Sequence, residues 1–288
     1  MNKITVKLED IKAQTQKALV NHGASERVAE SVAEAVKVAE AENNKVCGLY
    51  YLESYCNQLK SNRVDGSVMP EVKKPSNSSV YVDAKNGFAQ PAFAAGFEMA
   101  VCTARENGIC LFTIAHSHTC TSMGFFTSQI AKKGLLGIGA TVAPACVSPP
   151  GGNKPLLGTN PISMSVPSIN NDVAFQFDQS TSAIAIGKIR MAASNGESIP
   201  EGWAVDKEGK PTTDPNKALE GSLLSSGGYK GFGFGLMAEI LASALTGSLS
   251  SVNAPPLKTT EGEPHNLGQT YILIAVSYTH LRAHETRE

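Results

Sequence analysis

No apolar run in this chain reaches membrane-spanning length, and no tract of lysine and arginine marks a face for polyanions. With a formal net charge of -1 and only 18% charged residues, nucleic acid and acidic membranes are not expected as partners. The opening residues, MNKITVKLEDIKAQTQK, lack the apolar core of a signal peptide. The six cysteines (47, 56, 102, 110, 120 and 146) never form CxxC, so free thiols in a reducing cytoplasm are expected. Two nucleotide signatures are missing as well. GxxxxGK[ST] does not occur, and the pair Gly137-Ile138-Gly139 is followed by Val142 where a dinucleotide fingerprint needs its third glycine. The sequence carries no Rossmann signature.

What is present is an ordinary globular composition: 288 residues, 42% of them hydrophobic, enough for a core in two or three lobes. Leu8, Ile11, Leu19 and Val20 mark a first helix closed by His22-Gly23. Ser25 caps a second, striped by Val28, Val32, Ala35, Val36 and Ala39. Leu49, Leu52, Cys56 and Leu59 repeat at helical spacing, and this helical lobe ends at Pro70. A strand over 79–83, a helix over 90–107 stopped by Gly108, and an apolar strand over 109–115 follow. Further on come a helix over 123–133, strands over 135–143, 162–166 and 173–178, and a hairpin turn at Asn195-Gly196. A helix over 214–225 and a long apolar helix ending at Gly247 precede a Pro-rich linker and a strand over 271–276. The expected division is 1–70, 71–121, 122–250 and 251–276. Residues 277–288, SYTHLRAHETRE, have no apolar stripe and read as a foreign tail on a truncated chain.

Residues 115–161 hold the densest chemistry. His116, His118 and Cys120 alternate, so on a strand they would share one face and could hold zinc. The alternatives are a hydrogen-bonded histidine with a buried thiol, or His118 as an acid or base near neutral pH. GGYKGFGFG, entering a helix, could offer backbone N–H groups and Lys230 to a phosphate, or could serve only close helix packing. Asp178, Ser180 and Ser182 close a strand and fit either a sugar and phosphate contact or a capped turn. Cys47, next to Gly48 at the start of the third helix, is either a thiol of lowered pKa or inert.

Three segments carry a resemblance: PPGGNKPLLGTNPISMSVP, DQSTSAIAIGK and GGYKGFGFGLMAEILASALTG. They resemble the non-Rossmann malate/L-lactate dehydrogenase family, with its ureidoglycolate, sulfolactate and cyclic imino acid members, and the likeness extends to about Val276. The resemblance implies an α/β (α+β) fold with a mostly antiparallel cofactor-binding sheet beside an N-terminal helical lobe. It implies NADP or NAD as cofactor, a small-molecule substrate and a homodimer. By position, Asp178, Gln179, Ser180, Tyr229 and Lys230 would meet the cofactor, with Thr119, Cys120, Thr121, Ser122 and Met123 approaching it. Thr159 and Gly187 would lie at the substrate.

The departures are equally specific. Relatives carry Ser-His-Gly-x-x-Arg, the histidine donating a proton and the arginine holding a carboxylate. Here the segment is Val46-Cys47-Gly48-Leu49-Tyr50-Tyr51, so Cys47 stands at the donor's position and Tyr51 at the clamp's. Thr119 stands where relatives have a second histidine, Ala-Arg-Gly becomes Ala185-Ile186-Gly187, and Val142 replaces an asparagine. The expectation is hydride transfer to or from a C=O or C=N carbon beside a carboxylate. His118 or His116 would be the substitute proton donor, with Cys47 behind them. The competing expectations are a dinucleotide-binding homologue that has lost catalysis, and a zinc hydrolase.

Overall fold

The computed structural model describes residues 5–276, so the reading of 277–288 as a foreign tail lies outside it. The helical hairpin forms as its stripes dictate. α1 (Leu8–Asn21) and α2 (Glu26–Ala41) pack together, and Ser25 accepts a 3.4 Å hydrogen bond from the Val28 N–H. Leu19, Val28, Val32 and Val36 close onto Tyr55 and Leu59 of α3 (Leu52–Lys60), and Phe88 enters this cluster from outside the lobe. The third helix starts later than expected. Residues 45–51 form two short 3₁₀ turns pinned by Glu40, whose Oε1 accepts the Leu49 N–H at 2.8 Å. A Cβ at Gly48 would stand 2.2 Å from that same oxygen, so a larger residue there would displace the Glu40 carboxylate from the turn. Cys47 therefore sits in a tight turn, with no α-helix N-terminus beneath it.

A seven-stranded sheet forms the middle of the molecule. Its strands are β1 (Glu71–Ser76), β2 (Ser79–Asp83), β3 (Ile109–Ser117), β4 (Leu135–Thr141), β5 (Ile162–Pro167), β6 (Val173–Gln179) and β9 (Leu267–Ala275). The order is β1-β2-β3-β9-β4-β5-β6, and only β2 and β3 run parallel. The sheet is thus mostly antiparallel, as expected. β1 was not foreseen: it is an exposed edge strand containing Pro75, without apolar alternation. β9 lies between β3 and β4, so the strand expected last in sequence is central in space.

α4 (Ala89–Asn107) and α5 (Gly124–Lys132) pack on the sheet. The ring of Phe93 on α4 lies 5.3 Å from Phe112, 5.0 Å from Phe126 and 5.2 Å from Tyr271, joining two helices to two strands. Each such fully buried aromatic contributes about 2–3 kcal/mol of apolar transfer free energy.

A smaller body contains α6 (Ile186–Asn195), β7 (Ala204–Val205), α7 (Pro215–Glu220) and β8 (Ser222–Leu223), packed around Val147, Ile189 and Leu223. The Asn195-Gly196 pair ends α6 with Gly196 at φ 69°, so it is a helix C-terminus and not a hairpin turn; both uses need a left-handed residue. The helix expected over 214–225 stops at Glu220 and yields to β8. α8 (Tyr229–Glu239) begins inside the glycine run, and a π-helical turn (Ile240–Ala244) extends it. That turn meets β9, where a Cβ at Gly268 would fall 1.8 Å from the Ala242 carbonyl oxygen.

Candidate active site

A cleft of about 480 Å³ opens between the 3₁₀ turns, the ends of β4 and β6, and the start of α6. Asp178 organises one wall. β6 carries it opposite Ser163 of β5, and its Oδ2 accepts the Gly124 N–H at 2.8 Å and the Ser122 hydroxyl at 3.1 Å. The carboxylate therefore sits at the N-terminus of α5 and fixes the loop before it. Burial pushes its pKa up, while the donors from Gly124, Ser122 and Met123 pull it back.

Cys47, Tyr51, Thr119, Cys120 and Thr121 line the same cleft, as do Thr159, Asp178, Gln179, Ser180 and Gly187. Thr121 has φ 62°, an uncommon conformation for a β-branched residue, and its hydroxyl bonds to the Cys120 carbonyl at 2.6 Å. The Cys47 thiol is pushed up to about 12 by burial and then by the Asp178 charge. Cys120 is likewise raised to about 12. Burial thus favours the inert alternative for Cys47, and no α-helix dipole offsets its desolvation. Burial also raises the Tyr51 phenol, so it is a proton-bearing donor.

The remaining candidates fall elsewhere. Ser122 and Met123 support Asp178 and the core from behind the cleft wall. Tyr229 is 74% exposed at the start of α8. Lys230 lines a neighbouring recess of about 370 Å³ that meets the cleft at Gln179, Ser180 and Ser226. A Cβ at Gly231 would lie 2.0 Å from the Ser226 carbonyl oxygen, and one at Gly235 would lie 3.0 Å from the Thr181 hydroxyl. Those two glycines serve close packing of a helix.

The alternating histidines do not share a face. His116 has φ 52°, which breaks the pleat, and its Nδ1 meets Asp83 at 3.0 Å away from the cleft. His118 is buried behind the cleft wall, its Nε2 against the Gln58 side-chain oxygen and its ring stacked on His265. Burial, then His265, holds its pKa well below the usual histidine value, so it is neutral. Among the described residues, no group of three His, Cys, Asp or Glu could hold a metal ion. The zinc reading loses its geometry with the broken pleat.

Sequence reasoning passed over Arg190 of α6 and Lys258 of the Pro-rich linker, both of which line the cleft. Neither stands in a motif. Asn160, inside the GTNP segment, received no role from the sequence, yet it is fully buried and bonds to Glu239, a lone acid in an apolar helix. That acid was the available signal.

The profile of malate/L-lactate dehydrogenase matches residues 6–287. The chain belongs to that family. A Δ1-pyrroline-2-carboxylate/Δ1-piperideine-2-carboxylate reductase from Pseudomonas putida is 39% identical over 245 residues, 85% of this chain and 72% of that protein. A (2R)-3-sulfolactate dehydrogenase (NADP(+)) from Chromohalobacter salexigens is 38% identical over 88% of this chain and 74% of that protein. The crystal structure of Δ1-piperideine-2-carboxylate reductase from Pseudomonas syringae superposes with a TM-score of 0.91 at 33% identity, over 99% of this chain and 87% of that one. As a malate/L-lactate dehydrogenase family member, the protein is an NAD(P)-dependent oxidoreductase acting at a carbon next to a carboxylate. The relatives lend no support to a lapsed, binding-only homologue.

Proposed function

We propose that this family member reduces a cyclic 2-imino acid in preference to a 2-oxo acid, using NADPH. One observation carries the choice: among the described residues lining the cleft there is no histidine, and the Cys47 and Tyr51 protons are tightly held. Reducing a ketone leaves an alkoxide that must take a proton from the site. A cyclic imine enters as its protonated iminium, so hydride adds to carbon and the C=N π pair collapses onto a nitrogen that already bears its proton. No neutral-pH acid is required in that step.

The donor set fits a dinucleotide. Thr121, Ser180, Ser182 and Asp178 line one cleft, and Lys230 stands in the adjoining apolar recess. Asp178, Gln179 and Ser180 would hold ribose and phosphate oxygens, and Lys230 would neutralise phosphate charge. The nicotinamide supplies the hydride when the cofactor is bound. The chain's own tasks are to orient the acceptor carbon and to exclude water. Thr159 and Gly187, on the same cleft, would meet the substrate.

The homodimer and a cytoplasmic location belong to the same proposal. Phe234 (57% exposed), Ile240 (55%) and Met237 (41%) leave an apolar face on α8 and its π turn that a second copy would cover. Light scattering at micromolar concentration tests the dimer, and cell fractionation tests the location. The substrate reading is tested by NADPH oxidation with Δ1-piperideine-2-carboxylate, Δ1-pyrroline-2-carboxylate and pyruvate in parallel. The cyclic imines should give the higher kcat/KM; a preference for pyruvate would overturn the proposal.

A further inference from the structure

The charges lining the cleft do not balance. Its one carboxylate, Asp178, is engaged by Gly124 and Ser122. Lys188, Arg190 and Lys258 line it too, and none of them forms an ion pair among the described residues.

Lys258 is held in place without an anion. Its Nζ lies 3.1 Å from the centre of the Tyr50 ring and 4.9 Å from that of Tyr51, and it donates to the Tyr50 carbonyl at 3.5 Å. An ammonium has further N–H donors to offer, and aromatic faces position a cation without neutralising it. The Tyr51 ring is fixed by stacking on Tyr55 at 5.7 Å and 26°. Tyr51 lines the cleft, and its hydroxyl has no hydrogen-bond partner among the described residues. Arg190 follows Gly187 by one helical turn on α6 and is close enough to act electrostatically on the Tyr51 phenol. α6 starts at Ile186 without a side-chain cap, and Ala185, Ile186 and Gly187 at that end line the same cleft.

We propose that Lys258, Arg190 and Tyr51, which line one cleft, form the specificity-determining receptor for the substrate carboxylate. The two cations come from a linker and a helix distant in sequence, and Tyr51 adds a proton-bearing phenol to the same cleft. A planar carboxylate beside an sp² carbon fits this arrangement: one oxygen toward the ammonium, the other toward the guanidinium, with the phenol closing the pair. Anchored there, the acceptor carbon is directed toward the Asp178 wall, where the cofactor is assigned. The inference rests on the imino acid reading for its substrate, though its test is independent of turnover.

The probe is pyrrole-2-carboxylate, a planar unreactive anion, titrated calorimetrically into the full chain saturated with NADP⁺. Lys258→Met and Arg190→Gln should each weaken its binding about 10–100-fold, the usual effect of losing a charge-assisted hydrogen bond. NADPH affinity, followed by nucleotide fluorescence, should change less than about threefold, and pyrrole-2-carboxamide should lose its disadvantage against the acid in both variants. Unaltered carboxylate binding in the variants, or no binding to the parent chain, would overturn the receptor. So would loss of NADPH affinity with carboxylate binding intact, since the cations would then serve cofactor phosphate. A parent chain that binds the anion but reduces neither imino nor oxo acid would defeat the proposed function and leave the receptor standing.

Discussion

The rings of His118 and His265 lie 4.2 Å apart and tilted by 33°, both buried, beneath the cleft wall. His118 faces the edge of Tyr55 and the tilted ring of Phe88, and the buried Arg63 guanidinium stands near His265, bonded to the carbonyls of Thr259 and Glu263. Burial and then Arg63 depress His265 to about 3, and burial also depresses His118. Both groups are neutral when folded and take up a proton more readily when unfolded.

The sign of the pH effect follows. Above about pH 6.5 neither state is protonated, and the pair contributes no pH dependence. Below it the unfolded chain gains protons that the fold refuses, so stability falls as pH drops toward 3, by up to roughly 2–3 kcal/mol per unit for the pair. Urea denaturation at pH 7.5, 6 and 5 should show this slope. His265→Phe keeps the ring stack and should flatten the slope by about half; an unchanged slope would place the acid sensitivity elsewhere.

Asn160 makes a second internal prediction. Its side-chain nitrogen donates to Glu239 at 2.7 Å and to the Gly235 carbonyl at 3.1 Å, and its oxygen accepts from Ala143 N–H and Ser251 hydroxyl at 3.2 Å. The Ser251 N–H closes the circuit onto Glu239 at 2.6 Å. Asn160→Asp would set a carboxyl against Glu239 and break both donations. A loss of about 3–5 kcal/mol is expected, against about 2 kcal/mol for Asn160→Ser, which creates no like-charge contact. Equal losses would mean that the two lost donations, and not like-charge repulsion, set the cost.

The sequence exposed much of this fold because most elements are periodic and capped: Ser25, Gly108 and the apolar 109–115 run each mark a boundary that the chain obeys. Legibility fails where partners are distant. β9 reads as a terminal strand, and its central place depends on pairing with β3 and β4. The site shows the same split. Asp178 and Thr159 stand out by motif. His116 misleads, because strand alternation assumes a regular pleat that φ 52° removes. Lys258 is invisible to pattern reading, since only tertiary packing brings this linker residue onto the rings of Tyr50 and Tyr51.

Thiol chemistry checks the cleft's electrostatics. Cys47, Cys120 and Cys146 are each pushed up to about 12 and Cys110 to about 11 by burial, whereas Cys102 is exposed on α4. At pH 8 a disulfide reagent should modify Cys102 rapidly and the cleft thiols only on unfolding, because the thiolate is the attacking species. Cys102→Ser should remove the fast phase without altering NADPH affinity. Rapid modification of Cys47 would contradict its neutral state.

Gly124 offers the most direct test of Asp178. A Cβ there would lie 2.6 Å from the Gln176 side-chain nitrogen, 3.3 Å from the Asp178 Cβ and 3.4 Å from its Oδ2. The glutamine tip can swing away, but Asp178 is held by the sheet on one side and by the Gly124 N–H on the other. Alanine is favoured over glycine by about 1 kcal/mol inside a helix, which offsets part of the crowding because Gly124 opens α5. Gly124→Ala should therefore leave overall stability within about 1 kcal/mol while displacing the carboxylate from its donors. NADPH affinity should fall about tenfold with little change in denaturation midpoint. A stability loss without an affinity loss would mean that Asp178 only caps α5.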